Sequence, residues 1–144
     1  MRVGLLASNN TIGGTTAGAG NVISGNDFGG VEFLTQSSGG VVRGNFIGTS
    51  AVGNTALPNT GDGVALNGTG HTVGGTTVSA RNVIAGHNKA AVELYGDATG
   101  CVVQGNFIGT GVDGITPVGN PNRGVLIHDN ASNNTIGGPT NAAA

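Results

Sequence analysis

The hexapeptide GNFIGT at Gly44 to Thr49 returns unchanged at Gly105 to Thr110, 61 residues later. The same interval carries Asn21-Val22-Ile23 onto Asn82-Val83-Ile84 and Val31-Glu32 onto Val92-Glu93. A half-period lies inside it: Ile12, Val42, Val73, Val103 and Ile136 each sit in a similar short apolar segment, at steps of 30, 31, 30 and 33 residues. The unit is therefore one coil of about 30 residues in two alternating versions. Units of this length cannot bury an apolar face alone and must stack on their neighbours, which predicts a solenoid.

Each coil carries three strand-like bursts. The first is NTIGG at Asn10 to Gly14, echoed by GVVRG, HTVGG, CVVQG and a second NTIGG; the second is NVIS or NFIG; the third is GVEF, GVAL, AAVEL or GVLI. Period-2 alternation turns Val31 and Phe33, Val64 and Leu66, Val92 and Leu94, and Val125 and Ile127 inward, and the residue between each pair outward. Asn21, Asn45, Asn82 and Asn106 recur two residues before Ile23, Ile47, Ile84 and Ile108. This placement at a bend predicts a structural ladder of amides. The predicted architecture is an all-β, right-handed parallel β-helix of four to five coils. It forms one domain over residues 1–144, beginning in a third strand near Gly4 to Leu6 and ending after a first strand at Ile136.

Composition agrees with short strands between turns and excludes several classes. The chain has 144 residues with 30 glycines, only 8% charged side chains and a net charge of −2. Five basic residues, none clustered, give no phosphate-neutralising surface, so no nucleic-acid partner is expected. The single cysteine, Cys101, rules out an intramolecular disulfide framework. The apolar run Val3 to Ala7 is too short for a signal peptide and nothing reaches transmembrane length, so no membrane association is expected. If the protein is exported, its signal lies outside this chain.

NTIGG, NVISGN, GV-x-[FLI] and GNFIGT, separated by Gly/Asn-rich loops, resemble bacterial right-handed parallel β-helix repeats of the pectate-lyase-like superfamily over nearly the whole chain. The resemblance implies an extracellular or cell-surface setting and possible contact with polysaccharide, not a particular chemistry. In related repeats an Asp often follows GNxIGT; here Ser50 and Gly111 stand there. The acidic calcium ligands of a lyase are not clustered in the sequence either, because Asp27, Asp62, Asp97, Asp113 and Asp129 fall among separate loops and ladder ends. Neither a metal nor a cofactor is expected, since His71, His87 and His128 lie on different segments without paired-ligand spacing.

The outward columns of the third strand concentrate the chemistry. One reads Glu32, Ala65, Glu93, Leu126 and the next Leu34, Asn67, Tyr95, His128. Two coils separate Glu32 from Glu93 by about 9.5 Å, within the range of an inverting glycosidase pair, although solubility explains charges there equally well. Glu32, Glu93, Tyr95 and His128 are therefore candidate catalytic groups, with Asn67 and Arg43 as candidate binding residues. His71 and Cys101 share a column and could pair as imidazole and thiol, or pack at a corner. A flat column of Thr11, Val41, Thr72, Val102 and Thr135 resembles an ice-binding ladder, interrupted by Arg43 beside it.

The outward stripe of Val22, Phe46, Val83 and Phe107 calls for cover, from loops or from a partner. Inserts at Thr49 to Asp62 and Thr110 to Arg123 leave from that corner and could supply it. Open coil ends and this stripe make self-association the expected partnership, or else mark a segment of a longer repeat protein. The leading functional expectation is a structural or adhesion-type module; the alternative is a small hydrolase of glycosidic or ester bonds using the third-strand face.

Overall fold

The computed structural model describes residues 1–138. Strands numbered in chain order fall into three all-parallel sheets. The first stacks β2 (Thr11–Gly13), β5 (Val41–Arg43), β8 (Thr72–Gly74), β11 (Val102–Gln104) and β14 (Thr135–Ile136). The second stacks β3 (Val22–Ile23), β6 (Phe46–Ile47), β9 (Val83–Ile84) and β12 (Phe107–Ile108). The third stacks β1 (Arg2–Val3), β4 (Val31–Phe33), β7 (Val64–Leu66), β10 (Ala90–Leu94) and β13 (Arg123–Ile127). Each coil contributes one strand to each face, giving a parallel β-solenoid of about four turns. The one helical element among the described residues is a 3-10 turn at Val78–Ala80.

The third sheet starts earlier than the hydropathy pattern suggests. Its first rung is Arg2–Val3, paired with Glu32 and Phe33, whereas Leu5 and Leu6 are 60% and 75% exposed in the following turn. The reason is register. Val3 continues the inward column of Phe33, Leu66 and Leu94, and its carbonyl accepts the Leu34 N–H at 3.1 Å. Leu5 and Leu6 lie past the bend and cannot reach the core.

Inside, the columns Ile12/Val42/Val73/Val103, Ile23/Ile47/Ile84, Val31/Val64/Val92 and Phe33/Leu66/Leu94 form one buried core. Burial fades at the last coil, where Ile127 and Ile136 are each 45% exposed.

Polar ladders hold the corners. Asn45 Oδ1 accepts both the backbone N–H and the side-chain amide of Asn21, each at 3.0 Å. Asn82 Oδ1 does the same for Asn45, and Asn106 Oδ1 for Asn82. The Nδ2 groups of Asn45, Asn82 and Asn106 also donate to the carbonyls of Ile12, Val42 and Val73. At Gly13, whose φ is 83°, this packing demands glycine: a Cβ there would lie 2.4 Å from Asn45 Oδ1.

Two further corners follow the same rule with histidine as an occasional substitute. Asn26, Asn59, His87 and Asn120 each precede the first inward valine of strand three by five residues. Asn59 and Asn120 donate to the Ile23 and Ile84 carbonyls, and His87 Nε2 reaches the intervening Ile47 carbonyl at 3.2 Å. At the corner before strand one, His71 Nδ1 accepts the Gly40 N–H at 3.0 Å, just as Asn134 Oδ1 accepts that of Cys101. Accepting at Nδ1 places the proton of His71 on Nε2, which faces the Asn67 carbonyl and the Ser37 hydroxyl.

The long inserts fold back as hairpins over the outward stripe of the second sheet. A Cβ at Gly53 would come within 2.8 Å of the Phe46 ring, and one at Gly114 within 2.6 Å of Phe107. The Arg81 guanidinium lies 4.0 Å above Phe107, and Val83 is buried. Val22, at 49% exposure, is the open member of the stripe.

Replacing Asn45 by Ala is expected to destabilise the fold by about 1–3 kcal/mol, because it leaves buried donors and acceptors on both neighbouring coils unpaired. Thermal unfolding against a Thr72→Ala control measures this, and equal shifts would refute it. Burial also pushes His71 and His87 below the usual imidazole value. Their contribution to stability is complete above about pH 6.5 and lost as pH falls through their lower folded values. His87→Asn restores the amide of its column, so its unfolding temperature should fall less steeply than wild type between neutral and acid pH.

Candidate functional site

The outward column of the third sheet is Arg2, Glu32, Ala65, Glu93 and Leu126 in register. Small Ala65 leaves a gap between the two glutamates. Arg2 Nε donates to Glu32 Oε2 at 2.8 Å. Glu93 Oε1 meets His128 Nε2 at 3.1 Å, and His128 Nδ1 meets Asp129 Oδ2 at 3.0 Å. The His128 imidazole is held above its ordinary range, chiefly by the Glu93 hydrogen bond, with the Asp129 charge adding to it against desolvation.

Tyr95 lies on the same face, its ring stacked 6.2 Å from that of His128 at an interplanar angle of 21°. Burial pushes its hydroxyl above the usual phenol range; the Glu32 and Glu93 carboxylates add to this and the Asn67 amide opposes it. Asn67 Oδ1 also accepts the Asp97 N–H at 3.0 Å. Glu32, Glu93, Tyr95, His128 and Asn67 thus share one surface. Arg43 belongs to the outward face of β5, in a different sheet.

A groove of about 640 Å³ opens over this column. Glu32, Ala65 and Glu93 form its floor, with Asp27, Phe28, Thr60, Asp62 and Lys89 beside them and Arg2 at one end. The wall comes from the Thr49 to Asp62 insert and the shorter loop after β3; the Thr110 to Arg123 insert contributes no lining residue. Asp27 and Asp62, which the sequence places in separate loops, both border this groove. Asp62 is mostly committed to structure, since its Oδ1 accepts the Ala90 N–H at 2.9 Å.

Sequence reasoning missed Arg2, Asp27, Phe28, Asp62 and Lys89. A usable signal was present: Phe28, Gly61 and Lys89 each stand three residues before the first inward valine of strand three, so they stack beside its outward face.

This arrangement suits hydrogen bonding better than proton transfer. One oxygen of each glutamate already meets a nitrogen, Glu32 Oε2 that of Arg2 and Glu93 Oε1 that of His128, and a carboxylic O–H pointed at the Arg2 guanidinium would find no acceptor there. The thiol–imidazole pair is not assembled for chemistry. His71 Nδ1, the basic nitrogen, is occupied by the Gly40 N–H, while Cys101 is fully buried and its thiol is pushed up by burial. Among the described residues no group of three or more His, Cys, Asp or Glu is placed to hold a metal ion. No helix among them is long and apolar enough to cross a membrane. The Thr11, Val41, Thr72, Val102 and Thr135 column is in register on the first sheet, with Arg43 and Gln104 on the same outward side.

No family model, curated protein or solved structure matches the chain.

Cys101 is expected to resist alkylation in the native state and to react only as fast as the protein unfolds, because reactivity needs an accessible thiolate. Labelling rates compared with unfolding rates decide this; fast native labelling would mean that the corner opens locally.

Proposed function

We propose that this chain is a structural, adhesion-type repeat module of an extracellular or cell-surface bacterial protein, akin to the pectate-lyase-like β-helices, and that its third-strand groove contacts polysaccharide without cleaving it. The observation that carries this reading is Phe28, 81% exposed at the lip of a groove floored by Glu32 and Glu93. An exposed aromatic ring offers a flat apolar surface to the C–H face of a sugar. Fixed carboxylates accept hydrogen bonds from its hydroxyls. The strand ladder holds the two glutamates in register, which lowers the ordering cost of binding.

A hydrolase is the second reading, favoured by the glutamate separation of about 9.5 Å across Ala65. Against it stand the Arg2 and His128 contacts, each of which occupies one oxygen of its carboxylate. Self-association belongs to the main proposal through the last coil, where Ile127 and Ile136 leave apolar surface open.

Binding of the purified chain to an array of plant, bacterial and animal polysaccharides tests the main reading. Phe28→Ala should weaken binding about tenfold, equivalent to roughly 1.4 kcal/mol of lost stacking, with unfolding temperature unchanged. Absence of binding across the array would overturn it. If instead the protein depolymerises a glycan and Glu32→Gln or Glu93→Gln abolishes that activity in a folded protein, the hydrolase reading replaces it.

A further inference from the structure

His128 is placed so that each of its ring nitrogens faces a carboxylate. Nε2 meets Glu93 across the sheet from the preceding coil, and Nδ1 meets Asp129, its neighbour in the chain, at 3.1 and 3.0 Å. A neutral imidazole has one N–H and one lone pair, so it can donate to only one of them and must turn electron density toward the other. Both contacts coexist only in the imidazolium. The remaining groups around the ring leave this balance intact. Tyr95, the residue after β10, stacks on it, and the Glu32 carboxylate adds to the rise of the Tyr95 hydroxyl. Among the described residues, no lysine or arginine forms an ion pair with Glu93 or Asp129.

The two carboxylates differ in what losing the ring would mean. Asp129 and its neighbour Asn130 hold positive φ values of 51° and 69° in the turn after β13, and the Asp129 contact links adjacent residues, so it costs little ordering to keep. The Glu93 contact joins two coils, and Glu93 also lines the groove, where a hydroxyl-bearing ligand could take over its oxygen. On deprotonation the Nδ1–H tautomer therefore retains Asp129, and the Nε2 lone pair repels Glu93.

We infer that His128 is a proton-operated clasp on the groove: as the imidazolium it ties Glu93 and Asp129 together, and on losing its proton it releases the Glu93 carboxylate to a ligand. The inference rests on the polysaccharide reading for the ligand and on geometry alone for the clasp. The raised value of His128 sets the direction. The clasp, with its contribution to stability, is complete below the unfolded value near 6.5 and is lost as pH rises through the higher folded value.

Nuclear magnetic resonance of the isotopically labelled full chain tests the clasp without any ligand. The His128 ring and the Glu93 carboxyl carbon should report one shared inflection above about pH 6.5, Glu93→Gln and Asp129→Asn should each lower it, and the Nδ1–H tautomer should dominate above it. An inflection at the ordinary histidine value, indifferent to Glu93→Gln, would overturn the clasp; a dominant Nε2–H tautomer would overturn the release of Glu93. For a glycan that binds on the array, affinity should rise several-fold through the same inflection in wild type and stay flat in His128→Gln. Binding indifferent to pH in wild type would refute the coupling of clasp to groove. A shared inflection with no glycan bound at any pH would leave the clasp standing and remove the polysaccharide reading.

Discussion

The side-chain amides at the corners are the constraint on which the rest of this solenoid depends. Parallel strands of two to five residues offer few backbone hydrogen bonds, and every coil bends three times in its course. Each bend leaves peptide groups at the edge of the core that water cannot reach, and an unpaired one costs as much as several favourable contacts return. An asparagine solves this locally and axially at once: its oxygen takes the N–H groups of the coil below, and its nitrogen bonds a neighbouring carbonyl. Because one residue serves two coils, register is enforced at the corners, and a slipped coil would break donors on both sides.

Once register is enforced, outward positions become columns whose chemistry is additive along the axis. The third sheet uses this to bring an arginine, two glutamates and an alanine into line, and the preceding loops add Phe28 and Lys89 at a common offset. The groove is thus a by-product of stacking. Its rigidity comes from the core behind it, since Phe33, Leu66 and Leu94 sit on the same strands as its floor.

The three histidines show how position in this scaffold decides charge. His71 and His87 occupy corner sites built for amides, where burial favours the neutral ring. His128 stands outside, between two carboxylates, and favours the cation. The two kinds of site draw stability from opposite sides of neutrality: acid works against the corners, and alkali against the last coil.

The repeat alone determined the all-β coil, its three strands, the inward columns and the asparagine positions, because period and alternation follow directly from the residues that must be buried. It also placed Glu32, Glu93, Tyr95, Asn67 and His128 on one face. It did not show that Arg2 opens the third sheet, since an exposed Leu5 and Leu6 mimic a strand and only pairing with Glu32 and Phe33 reveals the true register. Nor did it show which loop would wall the groove, or that Asp27, Phe28 and Lys89 would border it. Phe28 and Lys89 share an offset before strand three, but no burial period acts on loop residues, so whether they border a groove follows from how each loop packs on the coils beside it. The pairing of Glu93 with His128, on adjacent coils of the fold and 35 residues apart in the chain, was likewise decided by tertiary structure, because side-chain direction within a column depends on the neighbours above and below it.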